Sequence, residues 1–194
     1  MIKKVLTVAD AVITRLATFD FVPLLAARLY MLPVVYKGAH SKIVGFSGTV
    51  DWFSTPASEG GLGMPFPVLM ALLATAIEVL GVISLVLGLC CRVMTIPLMG
   101  IMSVASLMVH WSHGWLVIAD KHMESTHRLN GLFEWLAANF PMRFNYVTEL
   151  GDPVMLNNGM EFAVTYFVML LFLLIFGPGR YVSADYWLRR RYLG

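Results

Sequence analysis

The sequence predicts an all-α, polytopic membrane protein: a four-transmembrane-helix bundle with an amphipathic N-terminal helix and a short amphipathic helix in the loop between the third and fourth crossings. Two observations support this fold class. Of the 194 residues, 58% are hydrophobic and only 13% are charged, whereas an ordinary soluble domain is about 45–50% apolar and about 25% charged. The apolar residues also fall into four long runs, as bilayer crossings require. This composition excludes a disordered chain, a coiled coil and a solvated globular enzyme.

The N-terminal segment, residues 4–18, predicts an amphipathic helix that lies in the membrane interface. Charged and hydroxyl side chains fall between its apolar positions, and a cytosolic extension of the first crossing is an equally good interpretation. Asp10 and Arg15 interrupt the apolar run, and no small-residue cleavage site follows, which argues against a signal peptide. The positions at helical spacing are Val5, Val8, Ala9, Val12, Leu16 and Phe19.

Four apolar runs predict the membrane crossings, at about residues 21–40, 65–89, 93–119 and 159–176. Two prolines interrupt the first run, but neighbouring helices can satisfy the carbonyls that proline frees in a membrane helix. The second run is the strongest, with one charged residue in about 25. We expect these crossings to form one membrane domain that covers residues 1–194.

Turn-forming residues separate the crossings. The segment Ser41–Met64 is rich in glycine, serine, aspartate and proline and predicts a loop outside the hydrocarbon. Cys90–Arg92 predicts a very short turn. Asn157 or Asn158 is expected to cap the fourth crossing, and Gly177–Arg180 is expected to end it.

The polar segment before the fourth crossing predicts one short amphipathic helix over Thr126–Asn139, which Pro141 ends. The two cysteines, Cys90 and Cys91, are adjacent and match neither a CxxC motif nor a zinc-ligand spacing, so reduced thiols are expected. The apolar face of the helix predicted over Thr126–Asn139 would consist of Leu129, Leu132, Phe133, Leu136 and Phe140.

The distribution of lysine and arginine predicts the orientation. Four crossings place both termini on one side, which holds eight lysines and arginines against four on the other, with Lys37 at the boundary. The positive-inside rule then puts both termini in the cytoplasm and the opposite loops in the periplasm or outside the cell. A net charge of +2, without a basic stripe that carries aromatic residues, argues against a nucleic-acid partner. The oligomeric state is left open.

Two charged residues lie at membrane depth, where a charge costs at least about 2.5–3.5 kcal/mol. Arg28 is about eight residues into the first crossing, and Glu78 is about eleven residues from the cytoplasmic end of the second. At 1.5 Å per residue these positions are roughly 12 and 16 Å deep. We therefore expect Arg28 and Glu78 to face the bundle interior and to pair, directly or through water. A structural and a functional role for this polar core are equally compatible with the sequence.

A second layer of polar groups is expected nearer the opposite face. Tyr36 and Lys37 end the first crossing, His110 and His113 end the third, and Glu161 begins the fourth. Imidazole and carboxylate groups can exchange protons with a quinone in a slot between helices. The same three groups, His110, His113 and Glu161, also suit a transition metal, with His40 as an alternative ligand. Hydrogen bonding of these histidines at the interface is the simpler interpretation.

Several segments resemble the DoxX family of membrane proteins. The run from Glu78 to Arg92 is similar to the second-to-third helix turn of that family, and Arg28 with Gly38 and Lys42 is similar to its first helix. The C-terminal run is similar to the motif that follows the last helix; it comprises Gly177, Pro178, Gly179, Arg180 and Tyr181, followed by Asp185 and Trp187. The segment from His110 to Trp115 and the long third-to-fourth loop most resemble the HvfX-like branch.

The resemblance implies four transmembrane helices and, in some members, a place in thiosulfate:quinone oxidoreductase or in oxidative-stress membrane complexes. The HvfX-like branch is associated with copper-binding peptides. Because the chain shows no intrinsic cofactor motif, the leading hypothesis is a quinone-linked membrane subunit of an oxidoreductase complex that obtains electrons from a redox protein partner. The alternatives are a non-enzymatic partner for copper or a metal-binding peptide, and a structural assembly subunit.

Overall fold

A computed structural model describes residues 2–193 of the chain, with the backbone alone for Ile2, Lys4, Val5, Val8 and Ala9. Over these residues the protein is all-helical, as predicted, apart from loops and one isolated β-bridge. The α-helices of the described residues are α1 (Ile2–Ala17), α2 (Phe21–Val44), α3 (Phe46–Ser54), α4 (Pro67–Leu87), α5 (Cys91–Val104), α6 (Glu124–Asn139), α7 (Pro141–Thr148), α8 (Glu161–Phe176) and α9 (Ala184–Tyr192).

Two helices among the described residues are long and apolar enough to cross a membrane: α4, with 21 residues, and the helix Cys91–His113, with 23 residues. Residues 10–17 of α1 and the whole of α2 make a third span if this pair, bent by 47°, is counted as one. The apolar helix α8 has 16 residues, which rise only about 24 Å against a hydrocarbon core of about 30 Å. Two to three crossings are therefore supported, and the fourth stays a prediction.

The region after the first crossing differs from the predicted loop. Helix α2 continues to Val44, and α3 follows at once and packs against α4. The sequence pattern that indicates α3 is the helical spacing of Phe46, Val50 and Phe53, of which Phe53 is buried. Backbone bonds from Leu62 N to Trp52 O (3.0 Å) and from Met64 N to Phe53 O (2.8 Å) return the chain to α3.

The third crossing changes its helix type before it ends. Regular α-helix gives way to a π-helical turn at Ala105–His110 and a 3₁₀ turn at Trp111–His113. Gly114, with φ 73°, stops the helix there. The helix therefore ends six residues before position 119, where the predicted crossing ends.

The N-terminal helix occupies residues 2–17, close to the predicted 4–18. Of its predicted apolar face, Val12, Leu16 and Phe19 are exposed. The side chains of Val5, Val8 and Ala9 lie outside the described residues. The position of α1 in the membrane interface stays a prediction.

The chain divides into two compact units. The first contains the residues up to Ser103 together with those from Tyr166 onward, and the second is Val104–Thr165. The core of the first unit is formed by fully or almost fully buried residues of α2, α4, α5 and α8. They include Met31, Val35, Leu85, Cys91, Leu98, Leu170 and Leu173.

In the second unit, two segments that flank α6 and α7 run antiparallel. Ala119 N donates to Met155 O (2.9 Å) and Glu161 N donates to Trp115 O (3.0 Å). The predicted helix at 126–139 is present as α6, two residues longer. Pro141 does not only end it, because it also begins α7.

The predicted asparagine cap of the fourth crossing is wrong. Helix α8 begins at Glu161, while the Asn157 amide donates to the carbonyls of His113 and Leu116 (both 2.7 Å). Asn158 adopts a left-handed conformation, with φ 60°. The asparagines therefore hold the antiparallel segments together.

The C-terminal end of α8 is confirmed at the predicted position. The helix ends at Phe176 and Gly177 follows with φ 85°, a conformation that glycine adopts without strain. After this turn the aromatic and basic tail forms α9. Ser183 caps that helix by accepting a hydrogen bond from Tyr186 N (3.4 Å).

Candidate functional site

One face of α2 is buried in the first unit and carries Arg28. Arg28, Met31, Val35 and Ala39 are all buried and follow one another at intervals of three or four residues. Helix α2 packs along α4 on this face. The next position at the same spacing is Lys42, which places the lysine on the face that meets α4.

Glu78 of α4 forms an ion pair with Lys42. The ammonium Nζ donates to Oε1 at 2.8 Å and to Oε2 at 2.9 Å. The Glu78 side chain is 5% exposed and that of Lys42 is 19% exposed. Burial in apolar surroundings makes an unpaired carboxylate costly, so the lysine compensates most of the charge at this depth.

Gly38 makes room for this carboxylate. A Cβ atom built on Gly38 would lie 2.8 Å from Oε1 of Glu78. The absence of a side chain at this position therefore lets the carboxylate lie against the α2 backbone, one helical turn before Lys42.

Arg28 does not pair with Glu78, so the predicted pairing of these two residues is wrong. Arg28 and Gly38, against which Glu78 lies, are ten residues apart on α2, which corresponds to about 15 Å. Arg28 is nevertheless buried, with 2% of the whole residue exposed, and Glu78 is buried likewise, with 4% of the whole residue exposed. Both side chains face the interior, as expected, but at different levels of the helix pair.

The Arg28 guanidinium binds backbone carbonyls. It donates from Nε to Leu85 O (2.9 Å) and from Nη2 to Val86 O (2.9 Å), both in the last turn of α4. It also donates from Nη1 to Pro178 O (3.0 Å) and Val182 O (3.1 Å). The last carbonyls of a helix lack intrahelical partners and carry a partial negative charge, so a buried cation suits them.

The turn between α4 and α5 is shaped around this arginine. A Cβ atom on Gly88, whose φ is 63°, would lie 2.8 Å from Nη1 of Arg28. Asp185 of α9 accepts hydrogen bonds from Cys90 N (2.8 Å) and Cys91 N (3.1 Å), and its own N–H donates to Gly88 O (3.0 Å). The carboxylate thus satisfies amides at the start of α5, where the helix dipole favours a negative charge.

The other predicted site residues of α2 lie outside this buried face. Tyr36 and Lys37 are exposed, and the Tyr36 ring lies 5.9 Å from the His40 ring. Tyr36 and Lys37 therefore lie apart from the buried face of α2 on which Lys42 meets Glu78. Lys42, which does contact Glu78, falls within the segment Ser41–Met64 that was predicted as a loop.

In the second unit, the predicted metal ligands bind groups of the protein separately. His110 Nδ1 is 2.8 Å from Asn158 O, His113 Nδ1 is 3.3 Å from Ser112 Oγ, and Glu161 accepts from Val117 N at 3.3 Å. Within the part of the chain that the structure describes, no three histidine, cysteine, aspartate or glutamate side chains are arranged to hold a metal ion. The metal site and the copper alternative therefore gain no support from these residues.

A known protein family matches the segment that contains the buried residues of α2 and α4. Residues 23–111 match the DoxX family model. The matched segment includes Arg28, Gly38, Lys42 and Glu78, and it supports the resemblance of this chain to DoxX proteins. The long apolar helices are consistent with a membrane protein. The match spans a little under half of the chain, and it does not separate the HvfX-like branch from other DoxX proteins. No curated protein and no solved structure matches the chain.

Proposed function

We propose that this DoxX-type chain is a membrane subunit of an oxidoreductase complex, in which a diffusing quinone is the substrate and a redox protein partner supplies the electrons. The observation that carries the proposal is the buried Lys42–Glu78 ion pair between α2 and α4. Ionisable residues within membrane helices are costly to bury, and they commonly mark proton or substrate pathways.

The chemistry of the pair suits a quinone headgroup. Reduction of a quinone to a quinol consumes two electrons and two protons. The Lys42 ammonium carries three N–H donors, and its contacts to Glu78 leave at least one donor for a quinone carbonyl oxygen. Lys42 is also the more exposed member of the pair. In the proposal Lys42 binds the carbonyl, Glu78 holds and passes protons, and the partner protein provides the electrons.

We also propose four crossings, with α8 as the fourth, both termini in the cytoplasm and a bacterial inner-membrane location. The exposed apolar side chains of α8, among them Phe172, Ile175 and Phe176, suit contact with lipid. Spheroplasts treated with a membrane-impermeant maleimide test this orientation. Cys90, which is exposed, should react only after permeabilisation, whereas Cys introduced by Ser47→Cys should react at once. The reverse pattern would overturn the orientation.

The quinone proposal is tested by binding and by turnover. The purified chain in nanodiscs is titrated with a short-chain quinone, and quenching of tryptophan fluorescence reports binding. Lys42→Met should weaken binding about tenfold or more, as expected when a hydrogen bond from a charged group to the quinone is lost. Glu78→Gln keeps the Lys42 ammonium but cannot accept a proton, so it should lose turnover more than binding. Membranes of the source cells with the same variants should lose quinone reduction to the level of a deletion strain.

Lys37→Met is the matched control, because Lys37 lies on the same helix but is exposed. It should bind quinone as the wild type does. Equal binding by wild type, Lys42→Met and Glu78→Gln, with unchanged turnover in membranes, would overturn the proposal.

A second candidate, a structural assembly subunit without a redox role, is favoured by the Arg28 and Asp185 contacts. These groups bind backbone atoms of α4, α5 and the C-terminal segment. If this candidate is correct, the deletion strain lacks the assembled partner complex, and the double variant Lys42→Met/Glu78→Leu, which removes both charges of the buried pair, restores both the assembly and its turnover.

A further inference from the structure

A basic pocket lies where the start of α2, the α4–α5 turn, the end of α8 and α9 meet in the first unit. Its volume is about 770 Å³. Four arginines line it, Arg92, Arg180, Arg189 and Arg190, together with two carboxylates. The formal charge of these six groups is therefore +2.

Both carboxylates of the pocket already have partners in the protein. Asp20 forms a two-point ion pair with Arg180, at 3.0 and 2.6 Å, and this contact raises the pKa of the Arg180 guanidinium. Asp185 accepts from the amides of Cys90 and Cys91. The positive charge that remains uncompensated belongs to the other three arginines.

Among the described residues, the ion pairs do not involve Arg92, Arg189 or Arg190. Arg92 extends over the turn that ends α8, because its Nε would be 3.0 Å from a Cβ atom on Gly177. Three guanidinium groups without carboxylate partners around one pocket suit an anion with several acceptor oxygens, and phosphate matches their forked donors.

The same pocket has an apolar side. Leu24, Val93 and Phe176 line it, and Val93 and Phe176 are 65% and 59% exposed. Val93 belongs to a helix that is long and apolar enough to cross the bilayer. A soluble phosphate would contact only the arginines, whereas a phospholipid would use both sides of the pocket.

We propose that this pocket binds an anionic phospholipid, with its phosphate among Arg92, Arg189 and Arg190 and its acyl chains along Val93 and Phe176. This inference is independent of the quinone proposal, because it involves neither Lys42 nor Glu78. It gives the aromatic and basic C-terminal helix a specific ligand at the membrane surface.

Native mass spectrometry of the purified full chain in detergent tests the proposal with three probes: phosphatidylglycerol, phosphatidylcholine and glycerol 3-phosphate. Wild type should retain phosphatidylglycerol in preference to phosphatidylcholine. The loss of a direct hydrogen bond between charged groups lowers affinity about tenfold or more. Arg92→Gln and Arg189→Gln should therefore each weaken phosphatidylglycerol binding about tenfold or more, and the double variant further still.

Arg191→Gln is the matched control, because Arg191 lies on the same helix, is outside the pocket lining and contacts the Tyr192 ring. It should bind phosphatidylglycerol as the wild type does, and thermal unfolding without lipid should be the same for the wild type and all four variants. An equal loss in Arg191→Gln would show general surface attraction and overturn the site. Glycerol 3-phosphate that binds as tightly as phosphatidylglycerol would overturn the lipid as the ligand.

Discussion

The carboxylate of Glu78 lies against Gly38, so that a methyl group at position 38 would approach Oε1 to 2.8 Å. Real Cβ atoms do not approach an oxygen so closely, and both neighbouring helices are packed on this face. A side chain at position 38 would therefore push Glu78 away from Lys42. The glycine and the ion pair form one local arrangement, although they were separate features in the sequence.

Gly38→Ala is expected to destabilise the protein by about 1–3 kcal/mol, the range for overpacking a filled interior. Thermal unfolding in detergent measures the effect. Gly100→Ala is the control, because a Cβ atom on Gly100 meets nothing within 4 Å in the same kind of helix. That change should be neutral or stabilising, since alanine favours the helix. If Gly38→Ala and Gly100→Ala unfolded at the same temperature, the close approach of Gly38 to the Glu78 carboxylate would be contradicted.

Lys42→Met alone is expected to cost about 3–5 kcal/mol of stability at neutral pH, because it leaves the Glu78 carboxylate buried without its partner. The double variant Lys42→Met/Glu78→Leu should recover most of this loss, since an apolar pair of similar volume carries no charge to desolvate. A double-mutant cycle in detergent measures the coupling. If Lys42→Met were as stable as Lys37→Met, the buried ion pair would not exist in the folded protein.

Arg28→Lys retains the charge but is expected to destabilise the protein by several kcal/mol. A lysine ammonium cannot reach four carbonyls that face a forked guanidinium, and each buried carbonyl left unsatisfied costs about 1–3 kcal/mol. Unfolding in detergent again provides the measurement. Arg143→Lys, at an exposed position of α7, should leave stability unchanged. A stable Arg28→Lys protein would show that charge alone suffices at this position.

Asp185→Asn is expected to loosen the α4–α5 turn, because an amide accepts less strongly from the N–H groups of Cys90 and Cys91 than a carboxylate does. Thiol labelling reports this change. In a Cys90→Ala background, the buried thiol of Cys91 should react with maleimide about tenfold faster or more after Asp185→Asn. Asp152→Asn, at an exposed position, is the control and should leave labelling slow. Unchanged labelling would mean that Asp185 does not hold the turn.

The sequence was sufficient for features that depend on local pattern. Composition indicated a membrane protein, Gly177 marked the end of α8, and the depth of Arg28 and Glu78 indicated that both face the interior. It was misleading where tertiary contacts extend an element. Serine, lysine and glycine between 41 and 48 suggested a loop, but packing against α4 supports helices α2 and α3 through this region.

Lys42 illustrates why the candidate site was found only in part. It continues the spacing of Arg28, Met31, Val35 and Ala39 on α2, and this signal was available in the sequence. The predicted first crossing instead ended at position 40, because the apolar run ends there and polar residues follow. A charged residue that extends the buried face of a membrane helix is therefore a stronger indicator than the length of the apolar run.

By itself the sequence determined the all-α membrane class and the burial of one arginine and one glutamate, because periodicity and hydropathy are local properties. Only the tertiary structure decided their partners. Arg28 binds carbonyls as far away as Val182, 154 residues along the chain, and Glu78 binds Lys42, 36 residues away. Opposite charges at similar depth suggested that Arg28 and Glu78 pair with each other. Instead, α2 packs on α4 so that Lys42 lies next to Glu78. The C-terminal segment folds back so that its carbonyls lie next to Arg28.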